Sequence, residues 1–463
     1  MSWLSNCQAI ISRQRIRFHY NRGNWGRAKV YATKDLEKGR NIEYCRDIIL
    51  RSHWNLGDFH EVIDFLSQYP ECDSQHFMQR ARNKLACAEW EDEPIPPMVH
   101  SAVFDDANPS RNWYQIEQRV WFRHPKGATY WDMPVHYDIR QTHESLLELA
   151  TQILLGPFLS STKKVRSVAR KPGNRLSLAY SGGVDSTAAM LMMPEETILS
   201  YHERVFPSNL KHGNARRCID FLQNSAQRTV EVIPSNHELI RTHYGKKVGF
   251  SSSYAAGVHL ILLADHFNLG SIAFGTVVEN TWLDKGVQYR NFEQSWHWKY
   301  WPKRFLHAGL LLELPINHLT EACALAVCQQ SPIGKVVNSC IRQDDGGCGV
   351  CWKCFHKNGP IGRRMNPRSK EISSKLNAVP LRSGMHALWA LQNQNLEHMA
   401  PHYAEILKQD LTWWKSAYGP GLRIISPSLR SYVEEKTERL LEFMDEPYEL
   451  ERVNLNQLNL EGN

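Results

Sequence analysis

Nowhere in the 463 residues does an uninterrupted apolar run approach the ~20 residues that a membrane-spanning helix requires. The N-terminus, MSWLSNCQAI, lacks the basic, apolar and small-residue order of a secretory signal. Together these absences predict a cytoplasmic protein with no membrane partner. Charge is not concentrated either. The formal net charge is +7, yet no block of five or more like charges occurs, so the chain carries no acidic or basic docking arm. A mildly basic, solvated surface accounts for the balance. Cysteine is not arranged for disulfides: eleven is an odd number, and Cys7, Cys45, Cys72, Cys87, Cys218, Cys323 and Cys328 are scattered without pattern. A lysine-bearing GxxxxGK[ST] phosphate loop is missing as well.

With 42% hydrophobic and 10% aromatic residues, the chain can bury more than one core. Residues 1–145 are dense in Trp, Tyr and Arg, with turn signals at 21–24, 94–97 and 108–109. Helical periodicity over 36–66 and 77–89 and alternation over 118–130 predict an accessory domain, and no chemistry-bearing motif lies in it. ESLLELATQILLGPFL, after His143, reads as an amphipathic helix, and residues 160–174 read as a loop. The pattern then becomes regular. Strands are expected at 175–179, 197–201, 229–233 and 271–274, and helices at 186–193, 214–225 and 254–267. Such alternation predicts an α/β domain over 146–370 built on a parallel, doubly wound sheet covered on both faces. Residues 371–463 predict a helical extension with pieces at MHALWALQNQ, HYAEILKQDLTWW and YVEEKTERLLEFM, broken at 419–421.

In parallel sheets, ligands bind beyond the carboxyl ends of the strands, and LAYSGGVDSTAAM, residues 178–190, has that address. Gly182 and Gly183 let backbone amides approach an anion, and the following helix points its positive end at the same spot. Ser181, Ser186 and Thr187 add hydroxyl donors. Asp185 is reconcilable with a phosphate ligand only if a cation lies between them, which predicts Mg²⁺. The plainer reading is a strand-to-helix turn capped by Asp or Ser.

A second cluster is SCIRQDDGGCGVCWKC, residues 339–354. Cys340, Cys348, Cys351 and Cys354 are separated by seven, two and two residues. Two residues between thiolates let one turn wrap a metal, and four sulfurs close a structural Zn²⁺ site. An iron–sulfur cluster or free redox thiols are the other readings.

Ser181-Gly-Gly-Val-Asp-Ser186 resembles the SGGxDS loop of the N-type ATP pyrophosphatases, which split ATP into AMP and pyrophosphate while adenylating a carbonyl or carboxylate oxygen. The resemblance implies an adenine nucleotide alpha hydrolase-like fold. Ser181, Gly182, Gly183 and Ser186 would grip the pyrophosphate, and Asp185 its Mg²⁺. With the cysteine cluster, the segment 176–357 is similar to the 7-cyano-7-deazaguanine synthases, ATP-dependent C–N ligases that carry zinc. Residues 274–280 and 314–320 follow that family's order of a strand ending in glycine, a substrate loop and a Pro-containing strand. The substrate parts depart from the family. GFSSSY at 249–254 and WLDKGVQY at 282–289 replace its usual elements, and Glu321 stands where a lysine is usual. This implies a divergent relative with a rebuilt acceptor pocket. Relatives of this mixed kind also occur in prokaryotic antiviral defence. An asparagine-synthetase-like amidotransferase would need a cysteine at position 2, where this chain has Ser2. A non-catalytic nucleotide-binding scaffold is the reading from a different class.

Expected cofactors are therefore ATP, Mg²⁺ and Zn²⁺. Candidate partners are a small-molecule or macromolecular acceptor, a nucleic acid or protein, and a second copy in a homodimer. SWHWKYWPKRF, residues 295–305, could stack a base or a single strand, or be a packed insertion whose lysines reach solvent. His202, Glu203 and Arg204 follow the second strand, where Arg204 could meet a phosphate or join a surface ion pair. Glu279 and Asp284 are candidate proton acceptors or metal ligands.

Overall fold

A computed structural model describes residues 3–73, 77–91, 95–206, 208 and 210–457; Pro94 of the expected turn and residues 458–463 lie outside them. The chain forms two compact units. Residues 1–103, 123–129 and 237–251 make the first, and residues 104–122, 130–236 and 252–463 the second. The expected boundary near residue 145 thus falls within the second unit, which also takes in the C-terminal extension.

The first unit is mainly helical: Trp3–Asn21, Trp25–Glu37, Ile42–Leu56, Phe59–Gln68 and Phe77–Glu91. The periodic stretch 36–66 is not continuous, because Gly57 at φ +80° closes the helix Ile42–Leu56 in the left-handed conformation. Apolar residues on the facing sides gather into two clusters. Ile16, Ala32, Cys45 and Ile49 belong to one, and Leu50, Val62, Leu66 and Phe77 to the other.

In the second unit the chain folds as a mixed α/β structure around an eight-stranded sheet. Its strands are β1 (Trp113–Ile116), β2 (Arg119–His124), β3 (Gly127–Asp132), β4 (Ser177–Ala179), β5 (Ile198–Arg204), β6 (Val230–Ser235), β7 (Ser271–Phe274) and β10 (Leu311–Glu313). The tip of the β2–β3 hairpin, residues 123–129, belongs to the first unit. β8 (Leu283–Asp284) and β9 (Gln288–Tyr289) form a separate short ladder. The sheet order is β1-β2-β3-β6-β5-β4-β7-β10. Its five consecutive strands β6, β5, β4, β7 and β10 are parallel, whereas β3 meets β6 antiparallel. Numbered in chain order, the parallel strands read third, second, first, fourth, fifth, and the order reverses between β4 and β7. All four residues of β7, Ser-Ile-Ala-Phe, are buried, as a strand covered on both faces requires. The alternating segment 118–130 therefore extends the central sheet.

The helix Val184–Leu191 packs on Glu321–Gln329, and Glu144–Leu155 packs on Val258–Leu262 and Trp296–His307. Glu144–Leu155 was expected to be amphipathic, yet Ser145 to Leu155 are all buried. Its polar groups are satisfied inside: Glu148 accepts from the backbone N–H groups of Arg166 and Ser167 at 2.9 and 3.0 Å, and Thr151 accepts from Trp113 at 3.0 Å. The helix expected over 254–267 is shorter, Val258–Leu262 after a 3₁₀ turn. Gly257 there lies so close to Phe274 that a Cβ would sit 2.7 Å from its ring. The expected helix over 402–414 is broken too, because the Asp410 carboxylate accepts from the N–H and hydroxyl of Thr412, both at 2.8 Å, and turns the chain. Gly384–Asn393 and Pro427–Leu440 form as helices. Among the described residues, no helix is long and apolar enough to cross a membrane.

Candidate functional site

Residues 180–183 leave β4 at the reversal of strand order, the position at which parallel sheets open a crevice. Gly182 takes φ +69°, and a Cβ on it would lie 2.6 Å from Ala215 Cα, so only glycine fits. Ser186 Oγ turns back into the loop. It accepts from the Ser181 N–H at 3.1 Å, pairs with Ser181 Oγ at 2.9 Å and donates to the Gly183 carbonyl at 3.1 Å. Two buried thiols hold the loop from beneath: Cys218 donates to the Gly182 carbonyl and Cys328 to the Val184 carbonyl, each at 3.4 Å. Burial raises both thiols, Cys218 to about 11, so neither is a thiolate nucleophile at neutral pH. Among the described residues, the N–H groups of Gly182 and Gly183 have no hydrogen-bond partner in the protein. Thr187, by contrast, is fully buried, and its hydroxyl pairs with that of Tyr180 at 3.2 Å.

The four clustered cysteines do come together. Sγ separations are 4.0 Å for Cys340–Cys351, 3.9 Å for Cys348–Cys354 and 3.5 Å for Cys351–Cys354. A tetrahedron with metal–sulfur bonds of about 2.3 Å has edges of about 3.8 Å, so the cluster has the dimensions of a four-thiolate metal site. Backbone N–H groups of Cys348 and Gly349 point at the sulfurs of Cys340 and Cys354, 3.4 and 3.3 Å away. The Asn214 carboxamide, at the start of the helix Gly213–Ser225, donates to the carbonyls of Cys340, Gln343 and Gly346 and so clamps the whole segment.

The loop and the cysteines, two separate features along the sequence, are joined in the fold. Ser339, just before the first cysteine, accepts the Val184 N–H at 3.0 Å. Lys357, three residues after the last, places its ammonium 2.5 Å from Asp185 Oδ1 and 3.6 Å from Glu321. Lys357 is almost wholly buried while Asp185 is about a third exposed, with side-chain exposures of 4% and 32%. Glu321 also meets His356 Nδ1 at 2.9 Å and lies 3.5 Å from His386 Nε2. His386 comes from the C-terminal extension. Its Nε2–H donates to the His356 carbonyl at 2.7 Å, and its Nδ1 accepts from the Trp414 indole at 3.3 Å, which assigns a neutral ring. Glu279 closes the array, accepting the Glu321 N–H at 2.8 Å.

Electrostatics sorts these groups. Burial depresses His386 to about 4, and the charge of Glu321 only partly offsets it. Burial alone would raise Glu321, but the Lys357 ammonium, and then His356 with its hydrogen bond, hold it well below the usual carboxylate range. Lys357 is likewise penalised by burial and then raised by Asp185 and Glu321, so it is an ammonium. Glu279 goes the other way: burial, and then the charge of Glu321, push it well above the usual range. Its second oxygen has no partner among the described protein atoms, so the buried site favours its uncharged form. The arrangement offers two unpaired glycine amides for an anion, with paired serine hydroxyls, a fixed cation and a half-open carboxylate beside them.

Other candidates lie elsewhere. Glu203 pairs with Arg216 at 2.6 Å, and the Arg204 guanidinium stands 5.3 Å from the Phe206 ring. His202 is buried and stacks on His259. Asp284 is exposed on β8. Trp282 is core, its indole donating to Asn317 at 3.0 Å. Lys357, His356, His386 and Ser339, which the fold brings to the loop and the array beside it, were not among the expected site residues. The only sequence signal for Lys357 was its closeness to Cys354, and His386 had none.

Residues 300–455 match the model of a family described as "Family of unknown function (DUF6395)". No curated protein and no solved structure matches the chain. The matched stretch contains Glu321, the four cysteines, Lys357 and His386, and it begins after the Ser181–Ser186 loop.

Proposed function

We propose that the protein is an ATP-dependent synthase that cleaves ATP to AMP and pyrophosphate while adenylating an oxygen of an acceptor, with a structural zinc ion held by Cys340, Cys348, Cys351 and Cys354. What carries this reading is the SGGVDS loop at the reversal of a parallel sheet, with unpaired glycine amides and the Lys357 ammonium at its rim. Gly182, Gly183, Ser181 and Ser186 would hold the pyrophosphate oxygens. Asp185 would share a Mg²⁺ ion with the phosphates; such an ion supplies charge neutralisation during cleavage between the α- and β-phosphates. Lys357 keeps Asp185 from repelling the nucleotide in the meantime. It also returns a cation to a site where the resembling family has its lysine and this chain has Glu321. Thr187 holds the underside of the loop rather than the ligand. The four sulfurs span a zinc-sized tetrahedron, and both segments that reach the loop, Ser339 and Lys357, are anchored by it.

The altered segments 249–254 and 282–289 support an acceptor larger than the free base of the resembling family. Buried polar groups shaped for one ligand reject analogues by large factors. Weak or no turnover of free 7-carboxy-7-deazaguanine is expected, and turnover at about 1 s⁻¹ or faster would restore the plain family activity. The decisive assay incubates protein and Mg·ATP with candidate acceptors and follows AMP and pyrophosphate. Asp185→Asn should lower that output by about 10²-fold or more without unfolding the protein, since metal-assisted charge stabilisation contributes several kcal/mol. ATP binding with no pyrophosphate release under any acceptor would make the protein a nucleotide-binding scaffold.

A further inference from the structure

We infer that the outer face of the helix Trp296–His307 binds a single strand of nucleic acid, with a base stacked on Trp296 and phosphates on Lys299, Lys303 and Arg304. Residues 295–305 divide by helical spacing into two faces with opposite fates. His297, Trp301 and Phe305, four residues apart, turn inward. Trp301 and Phe305 are buried and meet Tyr254 edge-on with ring centroids 5.5 Å away, and the Tyr254 hydroxyl pairs with His297 Nε2 at 2.8 Å. Ser295 caps the first turn by accepting the Trp298 N–H at 3.2 Å. The helix is thus anchored on one side by its aromatic contacts and leaves the other side to solvent.

On that other side, Trp296, Tyr300 and Arg304 form a ladder at the same four-residue spacing. The rings of Trp296 and Tyr300 are stacked, with centroids 4.7 Å apart and planes at 19°. The Arg304 guanidinium carbon stands 4.8 Å from the Tyr300 centroid. Trp296 nevertheless keeps 66% of its surface exposed, a large aromatic left in water at the end of a preformed stack. With Val165, this face lines a shallow groove of 420 Å³. The ionisable side chains lining the groove are Lys299, Lys303, Arg304, His307 and the Tyr300 phenol; no carboxylate lines it.

Charge and ring chemistry together select the occupant. Phosphates answer the cations, and unpaired bases answer the exposed indole, because every base has a face to stack and stacking is tolerant of sequence. A duplex hides its base faces and would leave Trp296 unused. An acidic peptide would use the cations but not the ladder. The groove offers no carboxylate or carboxamide with which to read a base edge or a 2′-hydroxyl, so DNA and RNA strands should bind alike and without sequence preference. The inference stands apart from the proposed ATP chemistry and is tested by binding alone.

The test uses the full-length protein and fluorescein-labelled oligothymidylate and oligouridylate of about 12 nucleotides, followed by anisotropy between about 50 and 200 mM salt. Wild type should bind both, more weakly as salt rises. Trp296→Ala should weaken binding about 10-fold or more, and Trp296→Phe should recover most of it. Lys299→Ala with Lys303→Ala should flatten the logarithmic salt slope by about 1.4, the loss of two phosphate contacts. Trp296, Lys299 and Lys303 all face solvent, so these variants keep the fold. The inference is overturned by absence of binding at about 50 µM protein, by equal affinity for a blunt duplex, by equal affinity for a polyglutamate peptide, or by variants that bind like wild type.

Discussion

Lys357 brings a positive charge into an interior place because two carboxylates are already there. Removing one partner of a buried pair leaves the other uncompensated, which costs about 3–5 kcal/mol. Lys357→Met should therefore lower the unfolding free energy by about 3 kcal/mol in urea titrations, and adding Glu321→Gln should restore part of the loss. A change below about 1 kcal/mol would mean that the array is solvated in solution. Buried histidines make a second prediction. Burial depresses His318 to about 3 and His386 to about 4, against about 6.5 in the unfolded chain. A depressed native value means that the unfolded state takes up the proton first as pH falls. The stabilisation is thus complete above pH ~6.5 and is lost toward the native values. Between pH ~7.5 and ~5.5 each ring should cost about 1.4 kcal/mol, and His318→Gln, if folded, should remove one such share from the pH dependence.

At the scale of elements, the loop is shaped by three backbones that come closer than side chains allow. Gly182 sits against Ala215, and Gly275, at the end of β7, sits against the first turn of the helix Val184–Leu191. A Cβ on Gly275 would be 2.8 Å from the Asp185 carbonyl carbon and oxygen and from the Ser186 nitrogen. Gly275→Ala must therefore push β7 away from the helix that carries Asp185 and Ser186. The expected outcome is a loss of about 1–3 kcal/mol in thermal or urea unfolding, typical of overpacking; under the proposed nucleotide reading, the same melts should also show a weaker ATP response. Unchanged stability together with unchanged ATP response would show that the strand end yields freely. The helix Gly384–Asn393 matters in a similar way, since it brings His386 beneath the same array.

For the whole molecule, the cysteine cluster is a joint. Through Ser339 and Lys357 it touches the loop, through Asn214 the helix Gly213–Ser225, and through His356 the array around Glu321. Metal binding free energy becomes folding free energy in such sites. Elemental analysis should give one zinc per chain and no iron. Release of that zinc by a strong chelator, or Cys351→Ser, should abolish cooperative unfolding of the sheet-bearing unit. Zinc-free protein that unfolds as wild type does, with four titratable thiols, would contradict this.

The SGGVDS loop, the cysteine spacing and the alternation of strands and helices were legible in the sequence, because each is a local pattern set by backbone conformation or by ligand spacing along one turn. Element boundaries near Ser177, Val184 and Gly213 fell within a few residues of expectation for the same reason. The array of Asp185, Lys357, Glu321, His386 and Glu279 was not legible: its members lie up to 201 positions apart, from Asp185 to His386, and their charge states depend on burial that no local pattern records. Nor could periodicity show that residues 145–155 are buried on every side, since their polar groups find partners only in the folded chain. Local chemistry thus determined which residues could hold a phosphate or a metal. Packing decided which charges would stand beside them, because a buried charge persists only where the tertiary structure supplies its partner.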